Sequence, residues 1–218
     1  MQSISAGRSR WSTTAFAIAA VLFLGYGILP PRADETTLAG AEAWASTGWL
    51  VGHLAAGIGF ILYTLGLLGI YLTVRATRAE PIALRATVIA WIGAGVTLLY
   101  YGAEVYGLRA LGTRAVAEQN PALLGIGEDF RYDPTAATLF ALGLGLLAVG
   151  AVLAAVAVWR AGTLPRAAAV VQAVGFTLLI PQFFTPQPVR IAHAVLLAVG
   201  LLWLAWSMSV ARSREVES

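Results

Sequence analysis

The chain has 218 residues, 59% of them hydrophobic and only 11% charged, with a mean hydropathy of +0.78. An ordinary soluble domain carries about 25% charged residues, and in water so apolar a chain would expose more hydrocarbon than a globule of this size can hide. The absence of cysteine excludes disulfides, thiolate metal sites and cysteine nucleophiles, and the net charge of +3 comes from arginines scattered through the connections, without the basic stripe that a nucleic-acid partner would need.

Six apolar runs follow one another, each near the ~20 residues that cross a ~30 Å hydrocarbon core. The first covers 12–29 (Ser12 to Leu29), preceded by Arg8 and Arg10 and stopped by Pro30-Pro31. A basic flank with a short apolar core also describes a signal peptide, but no small-x-small cleavage pattern precedes Pro30, and a retained first span is expected. A polar loop with Asp34, Glu35 and Glu42 leads to the second run, 49–74, and then to a basic turn with Arg75, Arg78 and Arg85. The third run covers 86–108. The longest connection, 109–134, is acidic; its first part, Arg109 to Gln119, extends the third helix beyond the membrane until Asn120-Pro121 stops it. Asp133-Pro134 starts the fourth run, 135–159, as an N-cap followed by proline should. A turn from Arg160 to Arg166 precedes the fifth run, 167–184, which ends among prolines; the sixth covers 191–210, followed by Arg212 and Arg214.

Backbone polar groups in lipid must bond internally, so these runs are expected as helices, and the ~10-residue alternating segments of a β-barrel are absent. The expected fold is a single all-α membrane domain over 1–218: a six-transmembrane-helix bundle of three helical hairpins, both termini cytoplasmic. With the N-terminus inside, nine of the fourteen arginines fall on the inner segments and five on the outer ones, which sets the orientation. The lysine-free, Ala/Arg/Gly-rich composition reads as that of a GC-rich bacterial genome, so the localisation expected is the plasma membrane of a bacterium, its inner or cytoplasmic membrane.

Polar groups at membrane depth are costly and need a reason. His53 in span 2, Glu104 in span 3, Gln182 in span 5 and His193 in span 6 share the outer leaflet in this topology. Steps of three and four residues place Gly93, Thr97, Tyr101 and Glu104 on one face of span 3, His53, Gly57 and Thr64 on one face of span 2, and His193, Gly200 and Ser207 on one face of span 6. Faces that mix small and polar residues point into bundles. The expected ligand-binding cluster is therefore His53, Tyr101, Glu104, Gln182 and His193.

Three functions compete for this cluster. A non-catalytic multi-pass protein, either a complex subunit or a small-ligand binder, needs no further chemistry; its partners are the lipid bilayer and a protein partner or second copy of the chain. In a haem- or metal-binding protein of redox or metal handling, His53, Glu104 and His193 would be the metal ligands, since two imidazoles and a carboxylate suit a divalent metal and two histidines at equal depth suit axial haem ligation. No HxxxH, HxxE or CxxCH spacing fixes such a set. The third is a metal-dependent membrane hydrolase facing outward. The absence of a complete constellation favours the first, and no enzyme is expected. No glycine motif follows a strand, so a nucleotide-binding loop is excluded. The 109–134 loop, with Phe130 and Tyr132, is either a lid over the cluster or a plain solvated connection.

Overall fold

A computed structural model describes residues 2–217, with side chains over 10–211 and at Ser213. Among the described residues every regular element is helical. In chain order these are α1 (Gln2–Ile28), α2 (Leu38–Ala45), α3 (Thr47–Val74), α4 (Glu80–Gly102), α5 (Leu108–Glu118), α6 (Gly125–Arg131), α7 (Pro134–Ala161), α8 (Arg166–Thr177) and α9 (Gln187–Glu217). A π-helical turn, Ala103–Gly107, welds α4 to α5, and short 3₁₀ turns cover Pro121–Leu124 and Pro181–Phe184.

Side chains and backbone signals set these boundaries. Ser46 closes α2 and opens α3: its hydroxyl donates to the Ala43 carbonyl at 2.7 Å and accepts the Trp49 N–H at 3.0 Å. Asp133 accepts the Thr135 and Ala136 N–H groups, both at 2.9 Å, so the Asp-Pro start of α7 lies where the sequence places it. Gly162, at φ 67°, ends α7 in the left-handed region that favours glycine. Gln119 takes the same region after α5, and Asn120 then caps the 3₁₀ turn through the Ala122 N–H, so the extension of the third helix stops where expected.

Five helices are long and apolar enough to cross a membrane: Arg10–Ile28, Thr47–Val74, Glu80–Glu118, Pro134–Ala161 and Gln187–Ala211. The expected span over 167–184 is not one helix. Pro181 offers no N–H to the Thr177 carbonyl, and its ring would clash with that carbonyl, so α8 stops at Thr177 after 12 residues, about 18 Å. The rest of the run is a turn and a 3₁₀ segment whose carbonyls find side-chain donors: His193 Nε2 lies 2.8 Å from the Gly175 oxygen, and Gln182 Nε2 donates to Leu179 at 3.2 Å.

Six helices form a ring in the order α1, α3, α4, α7, α8, α9 and back to α1. Neighbours run antiparallel and approach through glycines. A Cβ at Gly93 would sit 2.8 Å from the Gly143 oxygen, and one at Gly150 would sit 2.7 Å from the Ala90 Cβ, which welds α4 to α7. Phe16 and Phe23 of α1 lie over Gly66 and Gly59 of α3. Aromatic rings fill the centre: Tyr63 stacks on Phe176 with centroids 3.8 Å apart, and Phe23 meets Phe60 edge-on at 5.2 Å. Tyr63 donates to Gln172 Oε1 at 2.9 Å, and Gln172 Nε2 donates to the Ala151 carbonyl at 2.9 Å, so Gln172 ties three helices together.

At one end, α2, α5, the 3₁₀ turn after it and α6 fold over the bundle as a cap. It has its own small core of Ala41, Trp44, Trp49, Leu108, Ala115 and Leu124. A Cβ at Gly112 would sit 2.6 Å from the Ala41 oxygen, so α2 and α5 touch backbone to backbone.

Candidate functional site

Under the cap lies a cavity of about 590 Å³. Its floor is built by α3 and α4, which bring in His53, Tyr101 and Glu104, and by Tyr26 near the end of α1. Its apolar wall comes from Phe140, Ala141 and Leu144 of α7 and from Ile180, Phe183 and Phe184, the stretch that replaces the missing half of α8. Leu144 lies ten residues into α7, so the cavity reaches about 15 Å along that helix.

The π-turn places Glu104. The Glu104 backbone oxygen accepts the Trp49 indole N–H at 3.1 Å, and its carboxylate is gripped by the Arg131 guanidinium, Nη2 to Oε1 at 2.7 Å and Nε to Oε2 at 3.1 Å. The remaining Nη1 of Arg131 donates to Glu35, whose other oxygen accepts the Trp44 indole N–H at 3.1 Å. Arg131 also lies over the rings of Trp44 and Trp49, 5.0 and 5.7 Å from their centroids. Its side chain is 16% exposed, that of Glu104 11% and that of Glu35 34%. Burial alone would push the Arg131 guanidinium down, but the Glu104 and Glu35 carboxylates outweigh it and hold it above its ordinary value, so the cation persists. One guanidinium thus binds α6 to the floor of the cavity and to the loop before α2.

His53 lies beside this ion network. Its Nδ1 is 2.9 Å from the Trp49 carbonyl; a carbonyl only accepts, so Nδ1 carries the proton and Nε2 presents a lone pair. Nε2 is 3.9 Å from Glu104 Oε1, too far for a hydrogen bond. The ring is held against Trp49, centroids 4.1 Å apart, and edge-on to Tyr26 at 5.4 Å. The site thus offers an acceptor nitrogen, tyrosine hydroxyls and aromatic faces.

Of the five residues singled out from the sequence, His53, Tyr101 and Glu104 line this cavity. Gln182 and His193 line a smaller pocket behind it, which shares Tyr26 and Tyr101. The metal set His53, Glu104 and His193 is not assembled: among the described residues no group of three His, Cys, Asp or Glu side chains could hold an ion. The reasons are local. Both Glu104 oxygens are engaged by Arg131, and His193 spends its Nε2 on the Gly175 carbonyl. The small face of span 6 also points elsewhere than expected. A Cβ at Gly200 would sit 2.7 Å from the Gln172 backbone nitrogen, so that face meets α8 and not the bundle centre. Shared haem ligation and a metal-activated water lose their basis with the same contacts.

Glu35, Trp44, Trp49 and Arg131 are functional residues that the sequence pattern does not single out, and Arg32 and Arg190, which also line the cavity, read there as topology signals. A usable signal existed in the aromatic and charged residues clustered over 128–132, within the one long connection. Comparison with known protein families, with curated proteins and with solved structures gave no match.

Proposed function

We propose that the chain is a non-catalytic multi-pass membrane protein that binds a small ligand in an outward-facing cavity. In this reading the chain passes the bilayer six times, the first pass retained and the fifth made by α8 with the irregular stretch behind it. Both termini lie on the cytoplasmic side, and the cap faces outward from a plasma membrane. The uneven arginine distribution supports that orientation. The observation that carries the reading is the cavity itself. About 590 Å³ lies within the ~300–1,000 Å³ of small-molecule sites, which pair apolar walls with a few fixed polar groups. A non-catalytic role fits the carboxylates: Glu35 and Glu104 are bound by Arg131 and so are poorly placed for proton transfer.

The test compares small molecules extracted from the purified full-length protein and from an Ala141→Trp variant, whose indole would occupy the cavity wall. A compound stoichiometric with the wild type and absent from the variant supports the reading; identical extracts overturn it.

A further inference from the structure

Five charged side chains line the cavity, and they do not balance. Arg32, Arg131 and Arg190 face Glu35 and Glu104, and both carboxylates are engaged by Arg131. Among the described residues Arg32 and Arg190 have no carboxylate within ion-pair distance. They are nevertheless held in place. Arg32 Nε donates to Gln187 Oε1 at 2.8 Å, while Gln187 Nε2 donates to the Gly27 carbonyl at 2.9 Å. Arg190, one helical turn beyond Gln187, donates through Nε to the Thr185 carbonyl at 2.9 Å and through Nη2 to that of Phe183. Each guanidinium carries five N–H donors, so most remain uncommitted. Two fixed cations close enough to repel and rich in unused donors form a site for an oxyanion.

The apolar wall starts at the same place. Phe183, whose carbonyl holds Arg190, packs against Phe140 with centroids 5.8 Å apart, and Leu144 lies below. Phe184 is 86% exposed and Ala141 is exposed, although both line the cavity. The wall is therefore open on the side where α8 stops short, and in a bilayer that side meets acyl chains. We infer that the cavity takes an anionic amphiphile, its carboxylate or phosphate between Arg32 and Arg190 and its hydrocarbon along Phe140, Leu144 and Phe183, entering from the membrane. This rests on the ligand-binding reading above and specifies its ligand class.

The test uses full-length protein in phosphatidylcholine nanodiscs, with equilibrium binding of dodecyl phosphate, laurate, dodecanol and inorganic phosphate measured above empty discs. Expected is saturable binding of dodecyl phosphate or laurate at least tenfold tighter than dodecanol, weakened about tenfold by Arg32→Gln and by Arg190→Gln. Arg32→Lys should retain most affinity, and Arg114→Gln, a cap-surface control, all of it. The tighter of the two anions identifies the head group. Equal binding of inorganic phosphate, or equal loss in the Arg114 variant, overturns the inference. So does failure of both anions to bind saturably, or loss of fold in both glutamine variants together with unchanged anion binding by Ala141→Trp. If dodecanol binds as tightly as the anions and Ala141→Trp abolishes it, the anion site fails while the ligand-binding cavity stands. If Ala141→Trp changes nothing for any probe, the cavity reading fails too.

Discussion

Replacing Arg131 by glutamine removes the one cation that neutralises two carboxylates. Two unit charges about 4 Å apart attract by about 4 kcal/mol at an effective dielectric constant near 20, so Glu104 and Glu35 together supply a gross attraction of about 8 kcal/mol. Desolvating the ions takes back several kcal/mol, and removing one partner of a buried pair typically costs about 3–5 kcal/mol because the other charge is left bare. Arg131→Gln is therefore expected to destabilise the folded protein by about 3–5 kcal/mol. Glu104→Gln should cost less, because Arg131 keeps Glu35. Glu35→Gln should cost least, about 1 kcal/mol or less, since that carboxylate is the most exposed of the three. The Arg131→Gln/Glu104→Gln double variant should recover part of the Arg131 loss. The assay is reversible unfolding in mixed micelles, followed by tryptophan fluorescence. An Arg131→Gln variant within about 1 kcal/mol of wild type, or a Glu35 variant more harmful than the Glu104 variant, would refute the electrostatic account.

Three further outcomes are expected. Gly143→Ala would place a Cβ 2.7 Å from the Thr97 backbone nitrogen; thermal unfolding should show α4 and α7 parted at a cost of about 1–3 kcal/mol, whereas Gly145→Ala, which meets nothing within 4 Å, should be neutral. The cysteine-free background allows topology to be read directly: Ala122→Cys should react with a membrane-impermeant maleimide on intact cells and Thr163→Cys only after permeabilisation, and the reverse pattern would invert the orientation. Asp34 is held below the usual carboxylate range by the Thr36 N–H and then by the Thr36 hydroxyl. Because its folded value is the lower one, the contribution is complete above the unfolded pKa of about 3.9 and vanishes as pH falls through the folded value. Hydrogen exchange at Thr36 should therefore be unchanged across neutral pH and accelerate only in strong acid, and Asp34→Ala should abolish that dependence.

Hydrophobic run length and proline position were enough to read five of the spans and the stop at Asn120, because in lipid these signals act on each segment alone. The fifth run failed on a local effect: Pro181 ends α8 half-way, and apolar composition over 167–184 carries no sign of whether the backbone stays helical. For the site, helical spacing rightly joined Tyr101 to Glu104, and depth rightly matched Glu104 to His53. It misdirected His193 because a glycine face marks where some helix comes close, and here that helix is α8. Arg131 was hidden for a different reason. It is separated from Glu104 by 27 residues, and their meeting depends on α5 ending at Gln119 and α6 folding back, a tertiary event without a local pattern.

The π-turn between α4 and α5 has a consequence for how this chain tolerates change in length. Such a turn accommodates one residue more than α-helical winding would at the same point. Deleting a single residue from 103–107 would leave an unbroken α-helix and a lipid-facing surface of nearly the same composition. Everything beyond the deletion, however, would rotate by about 100°. Gly112 would swing off Ala41 and Leu108 off Trp44, and the roof of the cavity would have nothing to close upon. Phase, more than sequence, is what this short stretch conserves, and a missing residue there is more damaging than most replacements of one.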